Sequence, residues 1–204
     1  FTLDKPALIC RWRMSNKKVP MLNRHIRALS ERLVQGEPLT HNMLSWAKQH
    51  VEWSLAEGDY TAHDGVLMLV IDVNGNAAMT VGEYEPLADT SAKALRARSA
   101  EARSEADETG VAPELLAAVN NGELVFVAPE DECLCGTATL IEQLAQTGDM
   151  PVARVDIPAQ LKGALFLVSD EHGVVPATDA DAAEADAATV AFFADGYEKL
   201  RARR

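Results

Sequence analysis

An α/β (α+β) fold is predicted for this 204-residue chain by two patterns: apolar residues recur at helical spacing after Met21, and a continuous β-branched run occupies Val66 to Val73. Similar helix and strand patterns return after residue 110. Because 48% of the positions are hydrophobic, the chain can bury a substantial core, as one large domain or two small lobes.

Between Pro20 and Gly36, Leu22, Ile26, Leu29 and Leu33 define an amphipathic helix with a start and a stop. Thr40 caps a second helix whose face is Leu44, Ala47, Val51 and Leu55, and Gly58 ends it. The run VLMLVIDV suits a buried strand, Asn74-Gly75 the two positive-φ positions of a tight hairpin, and Ala77 to Val81 the return strand. Asp89 to Thr109 is rich in Ala, Arg and Glu with hardly any large apolar residue, so it reads as a solvated helix, a mobile lid or a linker. It divides the chain into an N-terminal α/β lobe (1–88), a charged linker or helix (89–110) and a C-terminal α/β lobe (111–204). In the latter, Gly122 to Ala128 reads as a strand, and Thr139 to Ala145 as a helix with a Thr139/Glu142 capping box and a stop at Gly148. Val152 to Val155 and Ala164 to Val168 read as strands, and a last helix places Val190, Phe193, Tyr197 and Leu200 on one face.

A formal charge of −12 disfavours nucleic acid and anionic membranes as partners, and the basic cluster Lys199, Arg201, Arg203 and Arg204 suits a helix C-terminus. No run approaches the ~18 to 20 apolar residues of a membrane span. Nothing near Phe1 reads as a signal peptide, so a cytoplasmic protein is expected. Cys10, Cys133 and Cys135 fit neither a disulfide framework nor a zinc spacing, which leaves reduced thiols. A Cys133/Cys135 redox pair is the alternative, opposed by Glu130, Asp131 and Glu132 beside it. Phosphate-loop, dinucleotide, zinc-protease and serine-hydrolase motifs are absent. With His25, His41, His50, His63 and His172 dispersed, no metal is expected.

Several segments, in order, resemble class IV pyridoxal-phosphate (PLP) aminotransferases. LNRHIRAL (Leu22–Leu29) is similar to the family's H-[IL]-x-R-L helix, and the stretch from Lys93 to the segment that begins at the Schiff-base lysine. LCGTAT (Leu134–Thr139) resembles the L-P-G-I-T-R turn, and ALFLVSDEHGVVPATDAD (Ala164–Asp181) the late strand and loop. The resemblance implies a two-lobed fold with a small N-terminal and a larger C-terminal lobe, a homodimer, and PLP held between the lobes. It also implies Lys93 as the catalytic lysine and Glu108 as the pyridine partner, although a second register puts Phe126 there. Thr137, Thr139 and Ser169 become the phosphate ligands. The implied reaction is amino-group transfer between an amino acid and an oxo acid, or the elimination of an aminodeoxychorismate lyase. Residue by residue, simpler roles also exist: Lys93 and Glu108 as solvated side chains, Thr139 as a helix cap.

The chain departs from the pattern at several points. Ala28 stands where the family has its phosphate-binding arginine, with Arg24 and Arg27 on other helix faces. Asp170 and Glu171 replace neutral groups and would repel a phosphate dianion. The interval from Gly110 to Leu134 is expected to lack a hairpin. These departures support a second reading, a non-catalytic relative that keeps the fold as a binding or interaction module.

Overall fold

Two antiparallel-rich sheets, each backed by helices, meet along one strand of the first. The structure, a computed structural model, describes residues 2–58 and 64–203, so His63 and Arg204 lie outside the described residues. The first sheet has the order β1-β4-β5 and is built from β1 (Pro6–Ser15), α1 (Leu22–Leu29), the ribbon β2 (Leu33–Val34) and β3 (Glu37–Pro38), α2 (His41–Glu57), β4 (Asp64–Asp72) and β5 (Ala77–Gly82). After it come α3 (Ala92–Thr109), β6 (Glu114–Asn120), β7 (Glu123–Val127), α4 (Gly136–Thr147), β8 (Val152–Val155), a 3-10 turn at Pro158–Gln160, β9 (Ala164–Ser169), β10 (Gly173–Pro176) and α5 (Glu184–Arg201). These form a five-stranded sheet of order β10-β9-β6-β7-β8, antiparallel except for β7 and β8, which α4 connects in parallel.

Strand alternation decides where everything packs. On β1, Leu8, Cys10, Trp12 and Met14 point into a core shared with Leu67, Leu69 and Ile71 of β4 and with Ala47, Val51 and Leu55 of α2. The intervening Ile9 and Arg11 face away from that core, towards the second sheet. On β6, Leu115, Ala117 and Val119 enter a core with Phe126, Ile141, Phe166 and Phe193, beneath α4 and α5. Leu116 and Ala118 face the opposite side, where Leu95 of α3 covers them with Leu165 and Leu167. No helix among the described residues is long and apolar enough to cross a membrane.

Several local expectations are corrected. The first helix stops at Leu29, because Gln35 (φ 52) and Gly36 (φ 79) form the tight turn of β2 and β3, which claims Leu33 as a strand residue. At Asn74-Gly75, Gly75 is left-handed (φ 79) and Asn74 is not. There the Asp72 carboxylate accepts from the N–H groups of Asn74 (2.9 Å) and Asn76 (2.8 Å) and folds the turn itself. The Asn-Gly turn with both residues at positive φ is Asn121 (φ 49) and Gly122 (φ 74), so a β6–β7 hairpin fills the interval expected to lack one. The charged segment 89–110 contains a helix, α3, as one of its readings had it, but not a solvated one: its buried residues Leu95, Ser99, Ala102, Ala106 and Thr109 recur at helical spacing. Small side chains let this helix lie close on the sheet, where Ser99 Oγ accepts from the Leu116 N–H at 3.2 Å. Finally, α4 starts three residues before Thr139, with Cys135 at its N-cap. Thr139 Oγ1 donates back to the Gly136 carbonyl at 2.6 Å instead of capping.

Candidate functional site

The N-terminus of α4, the turn after β9, the outer face of β1 and one side of α3 converge between the two sheets. Gly136 begins α4 so close to α1 that a Cβ there would lie 2.6 Å from His25 Nδ1 and 3.0 Å from the His25 backbone nitrogen. His25 is held in turn by stacking on Trp12, with ring centroids 5.2 Å apart and planes 14° from parallel. The turn after β9 is pinned to both sheets, because the Asp170 N–H donates to the Pro113 carbonyl (3.2 Å) and the Arg13 N–H to the Asp170 carbonyl (3.1 Å).

This pinning delivers a carboxylate to the helix terminus. Asp170 Oδ1 accepts from the Thr137 N–H and from Thr137 Oγ1, each at 2.9 Å, and lies 3.6 Å from His25 Nδ1, outside hydrogen-bonding reach. Asp170 is only 7% exposed. Burial pushes its pKa up, but the His25 imidazole and the Thr137 donors outweigh burial and hold the carboxyl below its usual value. The space between this carboxylate and Trp12, His25, Ala28, Arg32 and Cys135 measures about 10 Å³, no more than roughly one water needs.

A second polar cluster adjoins it. Ser169 Oγ donates to Glu114 Oε1 (2.9 Å) and accepts from the His172 N–H (2.9 Å). Arg98 Nε stands 2.7 Å from Glu114 Oε2, and Arg98 Nη2 donates to His172 Nε2 at 3.1 Å. A guanidinium only donates, so Nε2 is the acceptor and Nδ1–H donates to the Tyr84 hydroxyl, 3.1 Å away. Burial, with Arg98 and Arg13 nearby, lowers the His172 pKa to about 4. The Arg13 guanidinium carbon sits 3.2 Å from the Tyr84 ring centroid. Glu114, Glu171 and His172 bring ligand atoms within 4.8 Å of one another, but Arg98 already lies among them and supplies the positive charge a metal would bring. Outside this cluster a cleft of about 190 Å³ opens, walled by Arg11, Arg98, Glu101, Glu105, Glu114 and Glu171. Larger hollows of about 470 and 530 Å³ lie on the outer sides of α1 and α2, away from these residues.

Of the residues singled out in the sequence, Thr137 and Ser169 meet here through Asp170 and Glu114. Thr139 lies on the rim, its hydroxyl accepting from Arg24 at 3.2 Å. Lys93 is elsewhere: it is exposed in the first turn of α3, about 200° round the helix from the buried Leu95. Glu108 is exposed near the other end of α3, about 22 Å further along the axis. A pyridoxal ring would need both within a few ångströms, and their places at opposite ends of one helix keep them apart. Phe126, the alternative for the Glu108 position, is fully buried in the core. The cysteines fit no activated-thiol role, since burial pushes Cys10 up and Cys135 well up, and Cys133 is raised by partial burial and Glu31. Residues not singled out include Arg32, which is 4% exposed, pairs with Glu105 and donates to Thr109 Oγ1 at 3.0 Å.

No family model and no curated protein matches the chain. Solved structures do. A candidate 4-amino-4-deoxychorismate lyase superposes with a TM-score of 0.64 at 15% identity, covering 95% of each chain. A candidate branched-chain amino acid aminotransferase from Thermotoga maritima gives 0.61 at 14% identity, over 98% of this chain and 87% of the other. A hypothetical aminotransferase from Mycobacterium tuberculosis, solved in a PLP-bound form, gives 0.61 at 10% identity, over 94% and 89%. Together with the two-sheet topology, these likenesses show that the chain has the class IV aminotransferase-like fold, in a divergent form.

Proposed function

We propose that the chain is a non-catalytic relative of the PLP scaffold, a binding module whose cleft between the sheets takes a small charged molecule. The observation that carries this reading is that no lysine is among the described residues lining the cleft; its cations are Arg11 and Arg98. An aldehyde cofactor needs a neutral amine to attack it, and a guanidinium stays protonated and cannot serve. Lys93 is solvent-exposed on the far side of α3, and the Thr137 N–H in the first turn of α4 is already given to Asp170. The residues present therefore do not fit PLP, and no chemical step is derived through it.

Amino-group transfer between an amino acid and an oxo acid, or the lyase reaction, is supported by the fold alone. A homodimer remains part of the proposal, as the resemblance implies, and so does a cytoplasmic setting. The reading is tested by incubating the protein with equimolar PLP, reducing with borohydride and mapping peptides by mass spectrometry. Substoichiometric labelling scattered over surface lysines is expected. Stoichiometric labelling of one lysine would overturn the reading.

A further inference from the structure

The α4 N-terminus has three features of an oxyanion site. Two donors of its first turn, the Thr137 N–H and Oγ1–H, converge on one point, each 2.9 Å from the same carboxylate oxygen. His25 Nδ1, 2% exposed as a residue and without a hydrogen-bond partner, faces that point from 3.6 Å. Gly136 removes the Cβ that would separate the two walls. Cys135, at the N-cap, supplies no side-chain cap hydrogen bond of the kind a Ser, Thr or Asp would give. The anion comes instead from a turn 33 residues further along the chain. That turn cannot easily swing away, since its backbone is bonded to Pro113 on one side and Arg13 on the other.

We propose that Asp170 is the built-in occupant of a latent oxyanion site formed by Thr137 and His25, which takes a small phosphate or carboxylate only when that side chain is removed. A helix N-terminus with converging N–H and O–H donors is the chemistry that binds a phosphate or a carboxylate. A tethered carboxylate, already oriented and desolvated, competes with free anions without the entropic cost of capture. A second negative charge at the same donors would be repelled at short range in a poorly solvated pocket. The proposal deepens the reading of this site as one that cannot seat PLP, and it can fail separately from it.

The test uses the full chain and its Asp170→Ala and Asp170→Asn variants, with thermal unfolding followed in potassium formate, potassium phosphate and potassium chloride at matched ionic strength. In Asp170→Ala, formate or phosphate is expected to raise Tm saturably, as ligand linkage requires. The wild type and Asp170→Asn, whose site stays filled, show only the chloride response. A saturable formate or phosphate response in the wild type, or none in a folded Asp170→Ala, would overturn the proposal. Formate acting without phosphate assigns the site to planar carboxylates, and both acting assigns it to oxyanions in general. If Asp170→Ala does not fold, the wild type decides through parallel titrations with PLP and 5′-deoxypyridoxal, which lacks the phosphate and, unlike pyridoxal, has no 5′-hydroxyl to mask its aldehyde. Equal affinities mean the phosphate finds no donors, as proposed, and an advantage of roughly tenfold or more for PLP refutes it. A single labelled lysine together with equal affinities would sink the binding-module reading and leave this inference standing.

Discussion

Replacing Asp170 by alanine should be one of the most destabilising single changes in the chain. It strands the Thr137 N–H and hydroxyl without an acceptor and removes the anion facing His25, in a site only 7% exposed. Leaving a buried donor unsatisfied costs about 1 to 3 kcal/mol, so the two Thr137 donors together make about 2 to 6 kcal/mol. For a chain of this length that corresponds to a Tm drop of about 4 to 24 °C. The conservative Asp170→Asn keeps an acceptor for Thr137 and should cost less, which separates charge from shape. The folded carboxyl titrates below its unfolded value, so the unfolded chain binds the proton first as pH falls. The contribution of Asp170 is therefore complete above about pH 5 and is lost as the pH falls below ~3.9 towards the folded pKa. Urea unfolding of the wild type and Asp170→Asn at neutral and acidic pH reads this directly. The gap between them should narrow on acidification. A cost below about 1 kcal/mol for Asp170→Ala, or a gap independent of pH, would refute the reasoning.

Other outcomes follow from the same geometry. His172, with its pKa lowered to about 4, should be neutral by NMR at pH 6 and carry its proton on Nδ1; the stability tied to its neutral form is lost as pH falls from ~6.5 towards the folded pKa. Asp186→Ala removes the acceptor of the Asn121 and Gly122 N–H groups at 2.9 and 3.0 Å and should cost about 1 to 3 kcal/mol in urea unfolding. Phe126→Ala empties a fully buried position between α4 and the sheet and should cost about 3 to 5 kcal/mol by the same assay. Lys93→Ala, on an exposed helix face, should change stability by no more than about 0.5 kcal/mol.

Large apolar side chains made much of the fold legible. The faces of α2 and α5 and the strands β4, β7 and β9 could be read from spacing because Leu, Val, Ile and Phe mark their buried positions. Spacing also carried a signal that was not read, since Leu8, Cys10, Trp12 and Met14 alternate along β1; the other misses were built from small or polar residues. The buried face of α3 is mostly Ala, Ser and Thr, which carry little hydrophobic signal although they allow the closest helix-to-sheet approach. The two Asn-Gly pairs look alike in sequence, yet the nearby Asp72 folds one turn, whereas the other is braced by Asp186, 64 residues beyond Gly122 and outside any short window. Thr139 and Glu142 match a capping box, but α4 gains three earlier residues because Gly136 can pack against His25. At the site, the unfavourable charge of Asp170 could be read, and its role could not. A residue expected from the sequence to repel a phosphate instead accepts from the Thr137 N–H and hydroxyl, and only the fold brings Thr137, His25 and Asp170 to one point.

The central claim, that this scaffold lacks the lysine and the anion site for PLP chemistry, is tested most directly by the absorbance spectrum of the folded protein titrated with PLP, before and after borohydride, beside Lys93→Ala. The account predicts no saturable, reducible band in the wild type and no difference between the two proteins. A reducible band that saturates at one equivalent and vanishes in Lys93→Ala would contradict it.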